Sequence, residues 1–224
     1  MKQLFTFLLV LHVSGGTLGL ICGTIATAVV KGRKAHILTG KIYFYAMLVA
    51  AVSALVMSNL PNHHNVFLFA VGGFTLYMIS SGYRVVWLKR NLGKTIHSLN
   101  WVDYAITLFA LIFGLFLLAL AVLALRIGNA FGLVPAVFGL ISLNYARLDY
   151  KVLSGKQKVK QVWIVNHITR MMGALIASYT AFLVVNVHIQ MQWILWLLPT
   201  ALGTTLIYRF LQKFAPNRNV KQAA

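Results

Sequence analysis

Seven apolar stretches, at residues 4–30, 42–60, 66–88, 103–125, 130–146, 162–185 and 191–211, take up most of this chain. Each approaches the ~20 apolar residues a helix needs to cross a hydrocarbon core about 30 Å thick. Backbone amides in lipid must find their partners within the spanning segment, so runs of this kind are confined to helices. The expected fold is an all-α membrane protein: a bundle of seven transmembrane helices forming one integral membrane domain over residues 1–224.

The charges support the same reading. Only Asp103 and Asp149 are acidic, and charged residues make up 10% of the chain, against about 25% in an ordinary soluble domain. A formal charge of +18 would suggest nucleic acid in a soluble protein. Here the cations are sorted by side of the bundle and gather into no groove-binding patch, so nucleic acid is not an expected partner. Lys31, Arg33, Lys34 and Lys41 follow the first run; Lys89, Arg90 and Lys94 the third; Arg147, Lys151, Lys156, Lys158 and Lys160 the fifth; Arg209, Lys213, Arg218 and Lys221 end the seventh. The other side holds only Lys2 and Arg126. Cytoplasmic loops carry the excess of Lys and Arg, which places the N-terminus outside and the C-terminus inside. The basic inner loops suit anionic lipid headgroups.

The start, Met1-Lys2 before an apolar run, has the form of a signal peptide, but the run continues to Val30 and cleavage near Gly15 or Gly19 would leave a remnant too short to cross. Cys22 is the single cysteine, so neither a disulfide framework nor a Cys metal motif is available; it reads as a small packing residue. Outer connections are short, at 61–65, 127–129 and 186–190, and residues 216–224 read as a frayed tail.

Basic inner loops join the first helix to the second, the third to the fourth and the fifth to the sixth. A shift of 58 residues matches Gly15, Thr17, Leu18, Ile21 and Lys31 to Gly73, Thr75, Leu76, Ile79 and Lys89, a coincidence that composition bias also produces. Gly15, Gly19, Gly23 and Thr27 form a small-residue stripe on the first helix, and Gly173, Ala177 and Ala181 one on the sixth. Such stripes let helices approach closely, so both helices are expected at the centre of the bundle, enclosing a polar pocket with the second. No oligomeric state follows from them.

Ionisable groups within spans are costly and face the interior. His12 lies on or beside the first stripe. His167 and Arg170 occupy the first two turns of the sixth helix, with Met171 on the face of His167. Arg84 is near enough to the inner end of its helix for its stem to reach the headgroups. Asp103 opens the fourth helix, where a carboxylate suits the positive end of the helix dipole. Asp149 is then the acid left for Arg170, an expected polar core pair, since a buried guanidinium without a partner is strongly destabilising. Haem requires axial ligands at similar depth on different helices. At ~1.5 Å rise per residue, His12 and His167 lie near opposite surfaces and are mismatched; His36 and His167, with His97 as a spare, are compatible. His63 and His64 read as solvated and His188 as interfacial. No metal ion is assigned, and no nucleophile elbow, phosphate loop, paired-carboxylate site or zincin motif appears.

Five segments carry a resemblance: His12-x-x-Gly15-Gly16 with Gly23; Lys31-Gly32-x-x-x-His36-x-x-x-Gly40-Lys41-x-Tyr43-x-x-x-Met47; Ala146-Arg147-x-Asp149; His167-x-x-Arg170-Met171-x-Gly173; and Ile176-Ala177-x-x-Thr180-Ala181-Phe182-Leu183-Val184-Val185-Asn186. They resemble a family of bacterial multi-pass membrane proteins, the domain of unknown function 2306, over most of helices one, two and six. The resemblance implies a protein of the bacterial cytoplasmic (inner) membrane with a His-rich polar set and no assigned activity. It makes His12, His36, Asp149, His167 and Arg170 the site candidates.

Three functional classes fit. The first is a redox or cofactor-binding protein, with His36 and His167 as ligands of haem b or His12 as a contact for a quinone or haem edge. The second is a carrier in which His12, Arg170 and Asn186 line a path for a small anion or proton. The third is a scaffold without chemistry. Pro135 and Pro199 interrupt helices five and seven but are common enough in membrane helices to decide nothing.

Overall fold

A computed structural model describes residues 2–92, 101–154 and 161–216. Those residues form seven α-helices and no strand: α1 (Lys2–Ala28), α2 (Lys34–Met57), α3 (Val66–Leu92), α4 (Trp101–Arg126), α5 (Leu133–Leu153), α6 (Val162–Asn186) and α7 (Trp193–Phe214). All seven are long and apolar enough to cross a membrane.

The helices overrun the apolar stretches chiefly at the end where α1, α3, α5 and α7 finish and α2, α4 and α6 begin, here termed the basic end. α2 starts at Lys34 and α5 runs to Leu153, because hydropathy marks where the hydrocarbon would begin while the hydrogen-bond ladder continues through residues whose charged tips reach water. At the opposite end, residues 130–132 leave the fifth helix and form a separate 3₁₀ turn, with the Asn129 side chain accepting from the Phe131 amide. Gly128, at φ +75, makes the preceding turn possible.

Glycines set which helices touch. A Cβ on Gly15 would lie 2.8 Å from the Ala46 carbonyl oxygen, so α1 and α2 cross almost backbone to backbone there. Gly114 of α4 and Gly139 of α5 face each other in the same manner, a Cβ on either lying 3.0–3.1 Å from the other's carbonyl oxygen. α3 carries glycines on three sides: Gly72 faces α2, Gly73 lies under the Phe113 ring of α4, and Gly82 faces Arg170 and Met171 of α6.

This places α3, not α1, at the centre. More than half of the α3 span is buried, 56%, against 11% for α1. The α1 stripe occupies one side only, and Phe7, Val10, Val13, Leu18 and Ile21 leave the rest of that helix exposed. α6 packs on α3 and α7 and touches α1, where Tyr179 Oη meets Thr24 Oγ1. Although an inner loop joins the fifth and sixth helices in sequence, α5 packs on α4 and α6 on α3, and α5–α6 is absent from the closely packed pairs. α4 and α5 therefore form a glycine-locked hairpin laid against α3. Cys22 is buried among the packing side chains.

Candidate functional site

Near the basic end the interior holds three polar sites. The first is built on Arg170 of α6, 1% exposed. Its Nη1 donates to Asp149 Oδ2 at 2.9 Å and to Tyr77 Oη at 2.9 Å, and its Nη2 donates to Asp149 Oδ1. Tyr77 Oη in turn donates to Asp149 Oδ2 at 2.7 Å. The guanidinium also lies 5.5 Å from the ring centre of Tyr77 and 5.0 Å from that of Tyr145. α3, α5 and α6 thus enclose a bidentate ion pair with aromatic cover, which offsets the desolvation of both charges.

The second site corrects one expectation. Arg84, read as reaching for the headgroups, instead pairs with Asp103, which keeps its place in the first turn of α4: Arg84 Nε and Nη2 donate to Asp103 Oδ1 and Oδ2, both at 3.0 Å, with the guanidinium 4.7 Å from the Trp87 ring. Trp101 opens α4, which puts Asp103 in the first turn, on the face turned to Arg84 of α3. Both acids of the chain therefore lie on the α4–α5 hairpin at its basic end, each joined to an arginine of α3 or α6.

The third site lies where α1, α2, α3 and α6 approach. His36 Nδ1 bonds the Ala26 carbonyl oxygen at 3.0 Å, and His167 Nδ1 bonds that of Gly82 at 3.1 Å. A carbonyl only accepts, so each Nδ1 carries a hydrogen, and the neutral form of each ring has its lone pair on Nε2. The two ring centres are 6.3 Å apart with planes at 88°. α2 and α6 are not a closely packed pair; they meet through side chains, Tyr43 Oη also donating to the Met171 carbonyl at 3.2 Å. Fixing Nδ1 on a backbone carbonyl is how proteins orient a ligating histidine and set its tautomer. Two metal–nitrogen bonds of ~2.0 Å would place imidazole centres roughly 6 Å apart, so the donor chemistry and ring spacing are those of a pair that would hold a haem iron.

The remaining candidates fall elsewhere. His12 Nδ1 donates to the Ala50 carbonyl at 2.9 Å, tying α1 to α2 in the opposite half of the bundle; fourteen residues separate it from Ala26, about 20 Å along a helix. It is not part of a pocket shared by α1, α2 and α6. Asn186 is exposed and donates to the Phe182 carbonyl at 2.8 Å, sixteen residues and about 24 Å beyond Arg170, so the two side chains do not meet. His63, expected to be solvated, is exposed and stacks on Phe5 with centres 3.8 Å apart. His64 and His188 are exposed. His97 lies outside the described residues, as do Lys94, Lys156, Lys158, Lys160, Arg218 and Lys221. Among the described residues no three His, Cys, Asp or Glu side chains gather to hold a metal ion.

Sequence reasoning missed Tyr77 and Tyr145, the neighbours of Arg170. One signal was present: Tyr77 precedes Arg84 by seven residues, two helical turns on the same face. Comparison with protein-family models, with curated proteins and with solved structures finds no match to this chain.

Proposed function

We propose that this chain is a redox protein of the bacterial cytoplasmic membrane, N-terminus outside and C-terminus in the cytoplasm, that holds haem b between His36 of α2 and His167 of α6. One observation carries the reading: two imidazoles from different helices, each fixed through Nδ1 to a neighbouring helix backbone and crossed at 88° with centres 6.3 Å apart. Bound there, haem would supply a one-electron couple. The protein holds and orients the two ring nitrogens; Tyr43, bonded across to Met171, spans α2 and α6 one level deeper in the bundle.

The bacterial setting rests on the resemblance to domain of unknown function 2306, and the orientation on the one-sided cations. Trp87 and Trp101 near the basic end and Trp193 at the other are exposed, as interfacial aromatic residues are. A C-terminal green fluorescent protein fusion should fluoresce, while a C-terminal alkaline phosphatase fusion should be inactive; the reverse pattern inverts the topology. For the cofactor, protein purified in detergent from haem-replete cells should show a Soret band that His36→Ala and His167→Ala each abolish. A colourless wild-type preparation refutes the haem assignment.

A further inference from the structure

The third site has a basic rim. Lys31 Nζ donates to the Ala26 carbonyl at 3.2 Å, the oxygen that also accepts from His36 Nδ1 at 3.0 Å, so ammonium and imidazole are no further apart than those two distances combined. Lys31 also donates to the carbonyls of Thr27 and Val29, closing the end of α1, where the negative end of the helix dipole favours a cation. The same ammonium lies 4.6 Å from the centre of the Phe210 ring; the Phe210 and Phe214 rings are 6.3 Å apart, and Lys213 Nζ is 5.5 Å from the centre of Phe214. Two cations thus bracket a pair of rings where α7 ends beside α1.

Burial, and then the charge of Lys213, hold Lys31 below the ordinary lysine range. Among the described residues no carboxylate relieves that repulsion, because Asp103 and Asp149 are both paired with arginines of the other clusters. Lys213 is exposed, and no described protein group neutralises it. An anion at this rim would gain from both ammoniums, in a place where the membrane surface screens charge less than bulk water does.

We propose that Lys31 and Lys213 receive the carboxylates of the molecule held at His36 and His167, so that the site selects an anionic, imidazole-ligating ligand of the dicarboxylate porphyrin class. The inference rests on the redox reading above. The test titrates haem-depleted, detergent-purified full-length protein with haemin and with its uncharged dimethyl ester. Wild type should bind haemin about tenfold more tightly than the ester, the scale of a charge-assisted contact, and Lys31→Gln/Lys213→Gln should remove that preference while keeping the spectrum of a doubly imidazole-ligated haem. Lys213→Gln alone leaves the α1 carbonyls capped and should lower the preference by a smaller factor, which separates charge recognition from a folding defect. Equal affinity of wild type for both porphyrins overturns the charge assignment and leaves the haem reading standing. Binding of neither porphyrin overturns both.

Discussion

His167 and Arg170 are three residues apart on α6, yet their surroundings are opposite in kind. Arg170 turns to α3 and α5, where Asp149 and Tyr77 meet its guanidinium. His167 turns to Gly82 of α3 and His36 of α2, where only a backbone carbonyl and a second imidazole await it. The first cluster balances its charge within the protein and fastens the α4–α5 hairpin. The second keeps ring lone pairs and a neighbouring ammonium, Lys31, that is met by backbone carbonyls and no carboxylate among the described residues. A cluster whose charges are paired within the protein has structural work to do, even though Arg170 Nε stays buried without a hydrogen-bond partner; one whose ring nitrogens are unused has room for a ligand. Substitutions should therefore separate stability from ligand binding along this one helix.

The largest effect should come from the charge-paired cluster. Replacing Arg170 by Met or Asp149 by Ala leaves the other charge buried without its partner, a loss of about 3–5 kcal/mol, measured as a lower melting temperature in detergent or failure to run as a single species. The reversed pair Asp149→Arg/Arg170→Asp should recover part of that loss. If it recovers none, the pairing is not what stabilises this region. Tyr77→Phe removes one hydrogen bond each to Asp149 and Arg170 and should destabilise by roughly 1–3 kcal/mol.

Packing comes next. Gly139→Ala drives a methyl group against the Gly114 backbone, and overpacking of this kind costs about 1–3 kcal/mol. Gly16→Ala, where no neighbour lies within 4 Å, should be neutral or mildly stabilising through helix propensity, by up to about 1 kcal/mol. Equal melting temperatures for the two variants would contradict the glycine-locked hairpin. The histidine variants sharpen the contrast from the other side: His36→Ala and His167→Ala each lose one hydrogen bond, about 1 kcal/mol, while abolishing the Soret band.

The smallest effect is the pH response of Lys31. Its folded value is lowered from 10.5 by burial first and by Lys213 second. The unfolded chain then holds this proton more tightly than the folded one, so the penalty is present below the folded value. Stability contributed by this group should rise as pH climbs from there through 10.5. Lys213→Gln should flatten the rise in melting temperature over that range, and an unchanged slope would remove Lys213 as a cause.

Parts of the site were legible in the chain because so few residues compete. With two acids in 224 residues, a buried Arg170 has almost no choice, and Asp149 follows. The Arg84–Asp103 pair was less readable, since an arginine near a helix end has headgroups as an alternative partner and a carboxylate in a first turn has the helix dipole. Depth along the helices brings His36 and His167 to one level, but the crossing of their rings depends on the carbonyls of Ala26 and Gly82, which are backbone groups with no signature of their own.

What the sequence alone determined is the number of helices and the presence of one strongly basic end. Both follow from the transfer energetics of individual side chains and need no knowledge of neighbours. Tertiary structure decided which helix lies at the centre, and that α5 turns to α4 instead of α6. It also decided that the two acids share a hairpin while the imidazoles do not meet them. The physical reason is rotational: a helix stripe specifies a face that packs closely, but not the partner. Only contact between particular glycines and the residues opposite them, such as Gly73 with Phe113 and Gly82 with Met171, resolves how each helix is turned.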